Sequence, residues 1–109
     1  MTDTIFGKIA RGEIQVPLVH QDELCVAFND IAPQAPVHIL VIPREGLEDV
    51  TRASAPLLGH LMEVAAKLGN QHCPAGFRLV ANTGADGGQT VPHLHIHVLG
   101  GRHLSWPPG

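Results

Sequence analysis

The chain has 109 residues, of which 44% are hydrophobic and 16% are charged, and its formal net charge at pH 7 is −3. This composition is typical of a globular protein, and the length suits one domain over residues 1–109 rather than two separate cores. The 7 basic residues are scattered, which excludes the electrostatic footprint of a nucleic-acid-binding protein. No apolar run approaches the roughly 20 residues of a membrane span, and the N-terminus shows no leader pattern, so we expect a cytoplasmic protein.

The first half of the chain predicts one short helix and three strands. Thr4 or Asp3 can cap a helix that begins at Ile5, continues through Ile9 and ends before Gly12. Three extended runs follow, the first two of which form a hairpin. These runs are Val16 to His20, Leu24 to Asn29, and Val37 to Ile42, which Pro43 stops because proline lacks a backbone donor.

The second half predicts a longer helix and two more strands. Ser54 supplies an N-cap, Pro56 lies in the first turn, and an apolar stripe at helical spacing continues until Gly69-Asn70. Phe77 to Asn82 is the fourth strand, and the histidine-rich run after the turn at residues 83–88 is the fifth. We therefore expect an α+β fold, a five-stranded antiparallel sheet with one long and one short helix.

The fifth strand contains three histidines at strict alternate positions. Alternation indicates a half-buried strand, because successive side chains point to opposite faces of a sheet. The apolar members then enter the core and the imidazoles share the other face. The core set is Leu94, Ile96 and Val98, and the imidazole set is His93, His95 and His97. Since imidazole titrates near neutral pH, three of them in a row predict a functional site.

A glycine-rich turn, Gly84 to Gly88, directly precedes the histidines. Its glycines allow backbone N–H groups to approach an anion, and Gln89 and Thr90 add neutral donors. The alternative interpretation is a flexible hairpin connection. Together with the imidazoles, the turn predicts a phosphate site in which one neutral histidine acts as a nucleophile beside a donor or acid.

Three histidines on one strand also allow a zinc site. Zinc-bound histidines usually donate their second N–H to a carboxylate or carbonyl, and Asp86 is the one acidic residue close by in sequence. A neighbourhood of donors suits an anion better than a cation, so we expect no metal and no cofactor.

Two further residues have two interpretations each. His38 is a hydrogen-bonded core histidine or a support to the site, and Asp30 is a loop cap or an acceptor for a sugar hydroxyl.

The run from His93 to Leu99 resembles the histidine triad signature, His-x-His-x-His followed by two apolar residues. The resemblance extends over nearly the whole chain, through residues 3–9, 28–38, 40–43, 86–91, 100–102 and 106–109. These segments look like the Hint branch of the histidine triad (HIT) superfamily, the histidine triad nucleotide-binding proteins. Pro92 replaces a residue that is often aromatic in that branch, and Thr90 stands where serine is frequent.

The resemblance implies a HIT-like fold and a homodimeric purine nucleoside phosphoramidase. Such an enzyme hydrolyses the P–N bond of adenosine 5′-phosphoramidates, with AMP-lysine-like and aminoacyl-adenylate-like substrates, through a nucleotidyl-histidine intermediate. It implies that His95 is the nucleophile, that His93 and His97 orient it and stabilise charge, and that His38 supports the triad. It also implies phosphate contacts by Asn82, Gly88, Gln89 and Thr90, a ribose contact by Asp30, and a base slot of Ile5, Phe6, Ile31 and Leu40.

Two alternatives remain open at this point. The Fhit branch shares the triad but cleaves dinucleoside polyphosphates, although residues 3–9 and the Trp106–Gly109 ending favour Hint. A non-catalytic nucleotide-binding or scaffold protein would retain the same site. The sequence does not distinguish adenosine from guanosine.

Overall fold

The computed structural model describes residues 3–109. Its strands are β1 (Leu18–Gln21), β2 (Cys25–Asn29), β3 (Val37–Pro43), β4 (Phe77–Val80) and β5 (Ile96–Gly100), and its α-helices are α1 (Ile5–Ala10) and α2 (Ala55–His72). The strands form one sheet in the order β1-β2-β3-β5-β4, and every neighbouring pair is antiparallel. The predicted fold class is confirmed. None of the helices in residues 3–109 is long and apolar enough to cross a membrane.

The two faces of the sheet carry different parts of the core. On one face, α2 packs over a cluster of inward-pointing side chains of β2, β3 and β5. On the other face, Ile9 and Ala10 of α1 pack with alternate side chains of β2 and β3. The predicted burial of the apolar members of the histidine run is confirmed, because Leu94, Ile96 and Val98 are at most 2% exposed within the α2 cluster.

Both helices begin where the sequence predicts. The Thr4 hydroxyl accepts a hydrogen bond from the Gly7 N–H at 2.9 Å, so Thr4 rather than Asp3 caps α1. The Ser54 hydroxyl accepts from the Leu57 N–H at 3.3 Å at the start of α2. These side chains satisfy backbone donors that have no partner within the first turn of a helix.

The predicted end of α2 is wrong, because the helix continues past Gly69-Asn70 to His72. Gly69 serves close packing instead of termination. A Cβ on this residue would lie 2.6 Å from ring atoms of Phe77, the first residue of β4. Glycine at this position therefore lets the helix and the edge strand approach each other.

Strand boundaries also differ from those predicted from the sequence. β4 ends at Val80 rather than Asn82, and a 3₁₀ turn at Val50–Arg52 was not predicted. β5 begins only at Ile96, which pairs with Val41. If β5 extended two residues toward the N-terminus, the same register would place Leu94 opposite Pro43, which has no N–H to donate. The Leu94 N–H instead donates to the Leu47 carbonyl at 2.7 Å. His93 and His95 thus precede the strand, contrary to the prediction.

Candidate active site

The site lies on the α1 face of the sheet, where side chains from four segments meet. His97 is on β5, and its register partner on β3 is Leu40. His38 lies two residues earlier on β3, and His95 immediately precedes β5. The imidazole rings of His95 and His97 are 4.9 Å apart, and the Phe6 ring of α1 lies 5.0 Å from that of His95. His38, His95 and His97 therefore lie together on one surface, through alternation along β3 and across the start of β5.

His93 lies behind the other two triad residues. It is 3% exposed, and its Nε2–H donates to the Pro43 carbonyl at 2.9 Å. Burial lowers the pKa of His93, as does the nearby His95, while the hydrogen bond to Pro43 acts in the opposite direction. His93 is therefore a neutral residue that fastens the triad segment to the end of β3.

The backbone of His93 determines the tautomer of His95. His95 Nδ1 lies 2.7 Å from the His93 carbonyl oxygen. A carbonyl can only accept a hydrogen bond, so Nδ1 carries the ring proton and a neutral His95 has its lone pair on Nε2. The side chain is 7% exposed and packs edge-on against Phe6. This arrangement presents one unprotonated ring nitrogen, as a histidine nucleophile requires.

A chain of hydrogen bonds likewise determines the tautomer of His97. The Gln34 backbone N–H donates to His38 Nδ1 at 3.0 Å, so the proton of a neutral His38 is on Nε2. His38 Nε2–H then donates to His97 Nδ1 at 2.8 Å. A neutral His97 therefore carries its proton on Nε2, a buried atom with no hydrogen-bond partner among residues 3–109. This N–H is a free donor on the triad.

The environment keeps His97 and His38 neutral at pH 7. Burial, the largest cause, and the neighbouring His95 and His38 together lower the pKa of His97 to about 4, while Asp30 opposes the shift. Burial also lowers the pKa of His38, against the attraction of Asp30. His97 can therefore donate a hydrogen bond from Nε2 without first becoming a cation.

Asp30 follows β2 and lies at the edge of the imidazole cluster. Its Oδ2 atom is 3.5 Å from His38 Nε2, and its Oδ1 atom accepts from the Ala32 N–H at 2.8 Å. The second bond fixes the carboxylate in a turn, as expected of a loop-capping aspartate. The loop-capping role of Asp30 is therefore observed, and its contact with a sugar hydroxyl stays a prediction. His38 is a hydrogen-bonded buried histidine that also contacts His97.

Apolar residues form one wall beside the imidazoles. Leu40 is 2% exposed and packs with Phe28 and Ile42, and Phe6 covers this cluster. Ile5 is 52% exposed and Ile31 is 93% exposed, so these two side chains are available to a ligand rather than buried in the core. Of the four predicted base-slot residues, Leu40 is therefore buried, Phe6 is half-buried over it, and Ile5 and Ile31 are exposed, so their contacts with a base stay predictions.

The glycine-rich loop is braced by its own hydrogen bonds. The Gln89 side-chain amide donates to the carbonyls of Glu48 at 2.7 Å and Val91 at 3.1 Å. The N–H groups of Gly88 and Gln89 donate to carbonyls inside the turn. Gly88 has a φ of +79°, and a Cβ on Gly87 would clash with the Thr83 carbonyl oxygen. The turn therefore needs its glycines for its own shape, while Thr90 is exposed.

The described contacts join some predicted site residues and not others. A continuous series of short contacts connects Asp30, His38, His97, His95 and Phe6. Within residues 3–109, no hydrogen bond joins Asn82, Gly88 or Thr90 to a triad imidazole, so their ligand contacts stay predictions. Two groups that orient His38 and His93 were not predicted from the sequence, the Gln34 N–H and the Pro43 carbonyl. Both are backbone groups, so the residue type at these positions does not indicate them.

The ligand atoms of Asp30, His38 and His97 lie within 4.8 Å of one another, as a metal site would require. In the structure His38 Nε2–H donates to His97 Nδ1, and the absence of a metal from the triad stays a prediction.

Comparison with known proteins places the fold and the triad in one family. A sequence model of the HIT domain matches residues 11–104. The chain belongs to the HIT domain family. An uncharacterised HIT-like protein of Synechococcus elongatus is 57% identical over 111 residues, which cover 98% of this chain and 97% of that protein.

Solved structures of HIT proteins share this architecture. A HIT family hydrolase from Legionella pneumophila Philadelphia 1 superposes with a TM-score of 0.93 at 41% identity, covering 98% of this chain and all of that one. A histidine triad protein from Clostridium difficile gives a TM-score of 0.88 at 39% identity, with 96% of both chains covered. The five-stranded sheet and both helices of this HIT protein are therefore those of its family.

Proposed function

We propose that this HIT protein is a nucleotide hydrolase, and specifically a purine nucleoside phosphoramidase that acts through a nucleotidyl-His95 intermediate. The observation that carries the proposal is the 2.7 Å hydrogen bond from His95 Nδ1 to the His93 carbonyl, which leaves the Nε2 lone pair free. The name of the Legionella relative, a HIT family hydrolase, supports hydrolysis in general. The P–N bond and the purine come from the resemblance of the sequence to the Hint branch.

The proposed reaction has two displacement steps at one phosphorus atom. In the first, His95 Nε2 forms a bond to phosphorus while the bond from phosphorus to the leaving nitrogen breaks, and that nitrogen takes one proton from water and departs as an amine. In the second, water attacks the nucleotidyl-histidine, loses a proton and releases the nucleoside monophosphate with His95 regenerated. Dividing one difficult hydrolysis into two easier steps is the general advantage of covalent catalysis.

His97 is proposed to stabilise the charge that develops on the phosphoryl oxygens. Its Nε2–H lacks a partner among residues 3–109, and the hydrogen bond from His38 keeps the proton on that nitrogen. A donor held in place before the reaction costs no reorganisation in the transition state. His38 and Asp30 help to orient His97, and the backbone carbonyl of His93 orients His95.

Substrate binding is proposed to use both the polar and the apolar borders of the site. Asp30 accepts from the ribose hydroxyls, and the segment with Asn82, Gly88, Gln89 and Thr90 contacts the phosphate. Because the N–H groups of Gly88 and Gln89 are already hydrogen-bonded within the turn, the Thr90 hydroxyl is the donor of this loop that we expect to act first. The base lies against Phe6 and Leu40, with Ile5 and Ile31 closing the slot.

The active species is proposed to be a homodimer. β4 pairs only with β5 within residues 3–109, so it offers an open sheet edge, and Met62 of α2 is 45% exposed. Light scattering at micromolar concentration should give twice the chain mass of 11.6 kDa. A monomer mass under these conditions would contradict the dimer but would leave the triad chemistry unaffected.

Turnover of matched substrates tests the proposed activity. We expect the protein to release AMP from an adenosine 5′-phosphoramidate much faster than it cleaves a diadenosine polyphosphate, both with and without a chelator. Preference for the polyphosphate would indicate a dinucleoside polyphosphate hydrolase instead. AMP binding without turnover of either substrate would indicate a non-catalytic nucleotide-binding protein, and activity that zinc restores after chelation would replace the nucleophile with a metal site.

A further inference from the structure

A second cluster of ligand-type side chains lies on the α2 face of the sheet, where the β1–β2 hairpin meets that helix. It contains His20 at the end of β1, Asp22 in the turn, Cys25 at the start of β2 and His60 on α2. One ligand atom from each of His20, Asp22 and Cys25 lies within 4.8 Å of the other two. The two histidine Nε2 atoms lie 2.7 and 2.8 Å from the same Asp22 Oδ2 atom.

We propose that His20, Asp22, Cys25 and His60 form a binding site for Zn²⁺. Two imidazoles, a thiolate and a carboxylate are a borderline-soft ligand set that suits zinc and does not suit Mg²⁺ or Ca²⁺, which prefer oxygen ligands. The four side chains come from three separate segments of the chain, and all converge on one carboxylate oxygen. None of them belongs to the triad, and Cys25 lies in the cluster that packs on α2, away from the α1 cluster beside His95.

The distances from Asp22 Oδ2 to the other three ligand atoms are close to those of a tetrahedral zinc site. With zinc bonds of about 2.0 Å to oxygen or nitrogen and 2.3 Å to sulfur, the ligand atoms lie about 3.5 Å apart for an oxygen–sulfur pair and 3.3 Å apart for an oxygen–nitrogen pair. The observed distance from Asp22 Oδ2 to Cys25 Sγ is 3.5 Å. Each imidazole nitrogen would move away from the carboxylate oxygen by about half an ångström to reach the second value. His60, which lies outside the group of ligand atoms within 4.8 Å of one another, would also move toward His20 and Cys25.

The cluster is already oriented for a cation and open to one. The backbone N–H groups of Leu24 and Cys25 donate to Asp22 Oδ1 at 2.7 and 2.9 Å, which leaves Oδ2 facing the other ligands. The side chains of His20, Asp22 and His60 are 21%, 27% and 29% exposed, so an ion can enter from solvent. On binding, the Cys25 thiol loses its proton to solvent, and each imidazole moves its proton from Nε2 to Nδ1.

Bound zinc would join the β1–β2 hairpin to α2 across the α2 face of the sheet. Because a metal that binds the folded chain and not the unfolded one favours folding by mass action, its effect is on stability rather than on the triad reaction. The proposal does not depend on the phosphoramidase activity.

Metal titration of the full chain tests the site directly. After dialysis against a chelator, we expect calorimetry with Zn²⁺ to show one site, and Co²⁺ to give the absorption of a tetrahedral thiolate complex. Cys25→Ser should abolish the thiolate-to-cobalt band and weaken Zn²⁺ binding by about tenfold or more. His60→Gln, on the half-buried surface of α2, should weaken binding similarly, which keeps the test valid if the Cys25 variant folds poorly.

Two control variants separate this cluster from other ligands in the chain. Cys73→Ser removes the other buried cysteine, and His95→Asn removes the central triad imidazole, so neither should change the band or the affinity. Zinc should raise the thermal unfolding midpoint of the wild type and of both controls, but not that of Cys25→Ser or His60→Gln. No saturable binding at submillimolar zinc, or binding that survives both cluster variants or disappears with His95→Asn, would overturn the proposal.

Discussion

His38 donates its Nε2 proton to His97 Nδ1 across 2.8 Å, between adjacent strands and 59 positions apart in the sequence. The Gln34 N–H bonded to His38 Nδ1 makes this direction the consistent one for two neutral rings. The outcome is a proton held on His97 Nε2 at a pH where the ring is uncharged. A neutral donor beside His95 avoids the repulsion that two imidazolium groups would create at 4.9 Å.

Removing the His97 donor should slow the chemical step without abolishing binding. We expect His97→Ala to lower kcat by about 10²- to 10⁴-fold, the usual range for one transition-state donor or acid. The Kd for AMP should change little, because the apolar wall and Asp30 remain. Steady-state kinetics together with AMP calorimetry separate the two effects. A variant that keeps wild-type kcat would remove His97 from the mechanism.

His97 should also make folding stability depend on pH in a defined window. Its pKa is about 4 in the folded chain against an ordinary value of 6.5, so between these values the unfolded chain binds more protons. The contribution of a neutral His97 to the free energy of unfolding should therefore be fully present above about pH 6.5 and decline as the pH falls toward 4. The pKa values of His38 and His93 are lowered by burial and act in the same direction.

Urea unfolding at several pH values between about 4.5 and 7 measures this dependence. In that range the free energy of unfolding of His97→Asn should fall less steeply with decreasing pH than that of the wild type. The quantity compared is this slope, not the absolute stability of the variant. Carboxylates such as Asp49, whose pKa is lowered by hydrogen bonds from Thr51, lose their contribution only at more acidic pH. Identical slopes for the two proteins would contradict the depressed pKa of His97.

Two glycines of α2 offer a matched test of the packing between helix and sheet. Gly69→Ala places a Cβ 2.6 Å from the Phe77 ring and should destabilise the fold by about 1–3 kcal/mol, as overpacking does. Gly59→Ala meets no atom within 4 Å and should stabilise the helix by up to about 1 kcal/mol. Chemical denaturation of both variants gives the comparison. Equal effects would mean that Gly69 is not needed for close approach.

The sequence predicted which side chains share a face better than where elements end. Alternation correctly placed Leu94, Ile96 and Val98 in the core. It did not reveal that β5 begins at Ile96, because that boundary depends on Pro43 of another strand. Gly69 was interpreted as a helix terminator, since a local pattern cannot show that Phe77 packs against it.

The sequence predicted that several imidazoles lie together but not how they are oriented. The triad and His38 follow from spacing and resemblance, and the structure brings His38, His95 and His97 together. Their tautomers depend on the Gln34 N–H and the His93 carbonyl, which are backbone atoms placed by loops. Every residue has such groups, so no sequence pattern distinguishes the two that orient these rings.

Substitution of His95 should separate binding from turnover. His95→Asn or His95→Ala should bind AMP with nearly wild-type affinity, since the proposed contacts of base and ribose involve Asp30, Phe6 and Leu40. Turnover should fall by several orders of magnitude because the atom that forms the covalent bond is lost. Equilibrium binding and single-turnover rates on the same preparations give both quantities. Near-normal turnover in either variant would exclude His95 as the nucleophile.

Trapping the covalent intermediate tests the role of His95 most directly. Wild-type protein mixed rapidly with a labelled adenosine phosphoramidate, and quenched without acid, should carry a nucleotide on His95 that is stable to base and labile to acid. The adduct should be absent from His95→Ala and should form more slowly in His97→Ala. Peptide mapping that places the nucleotide on His93 or His97, or full turnover with no adduct at any time, would contradict the assignment of His95 as the nucleophile.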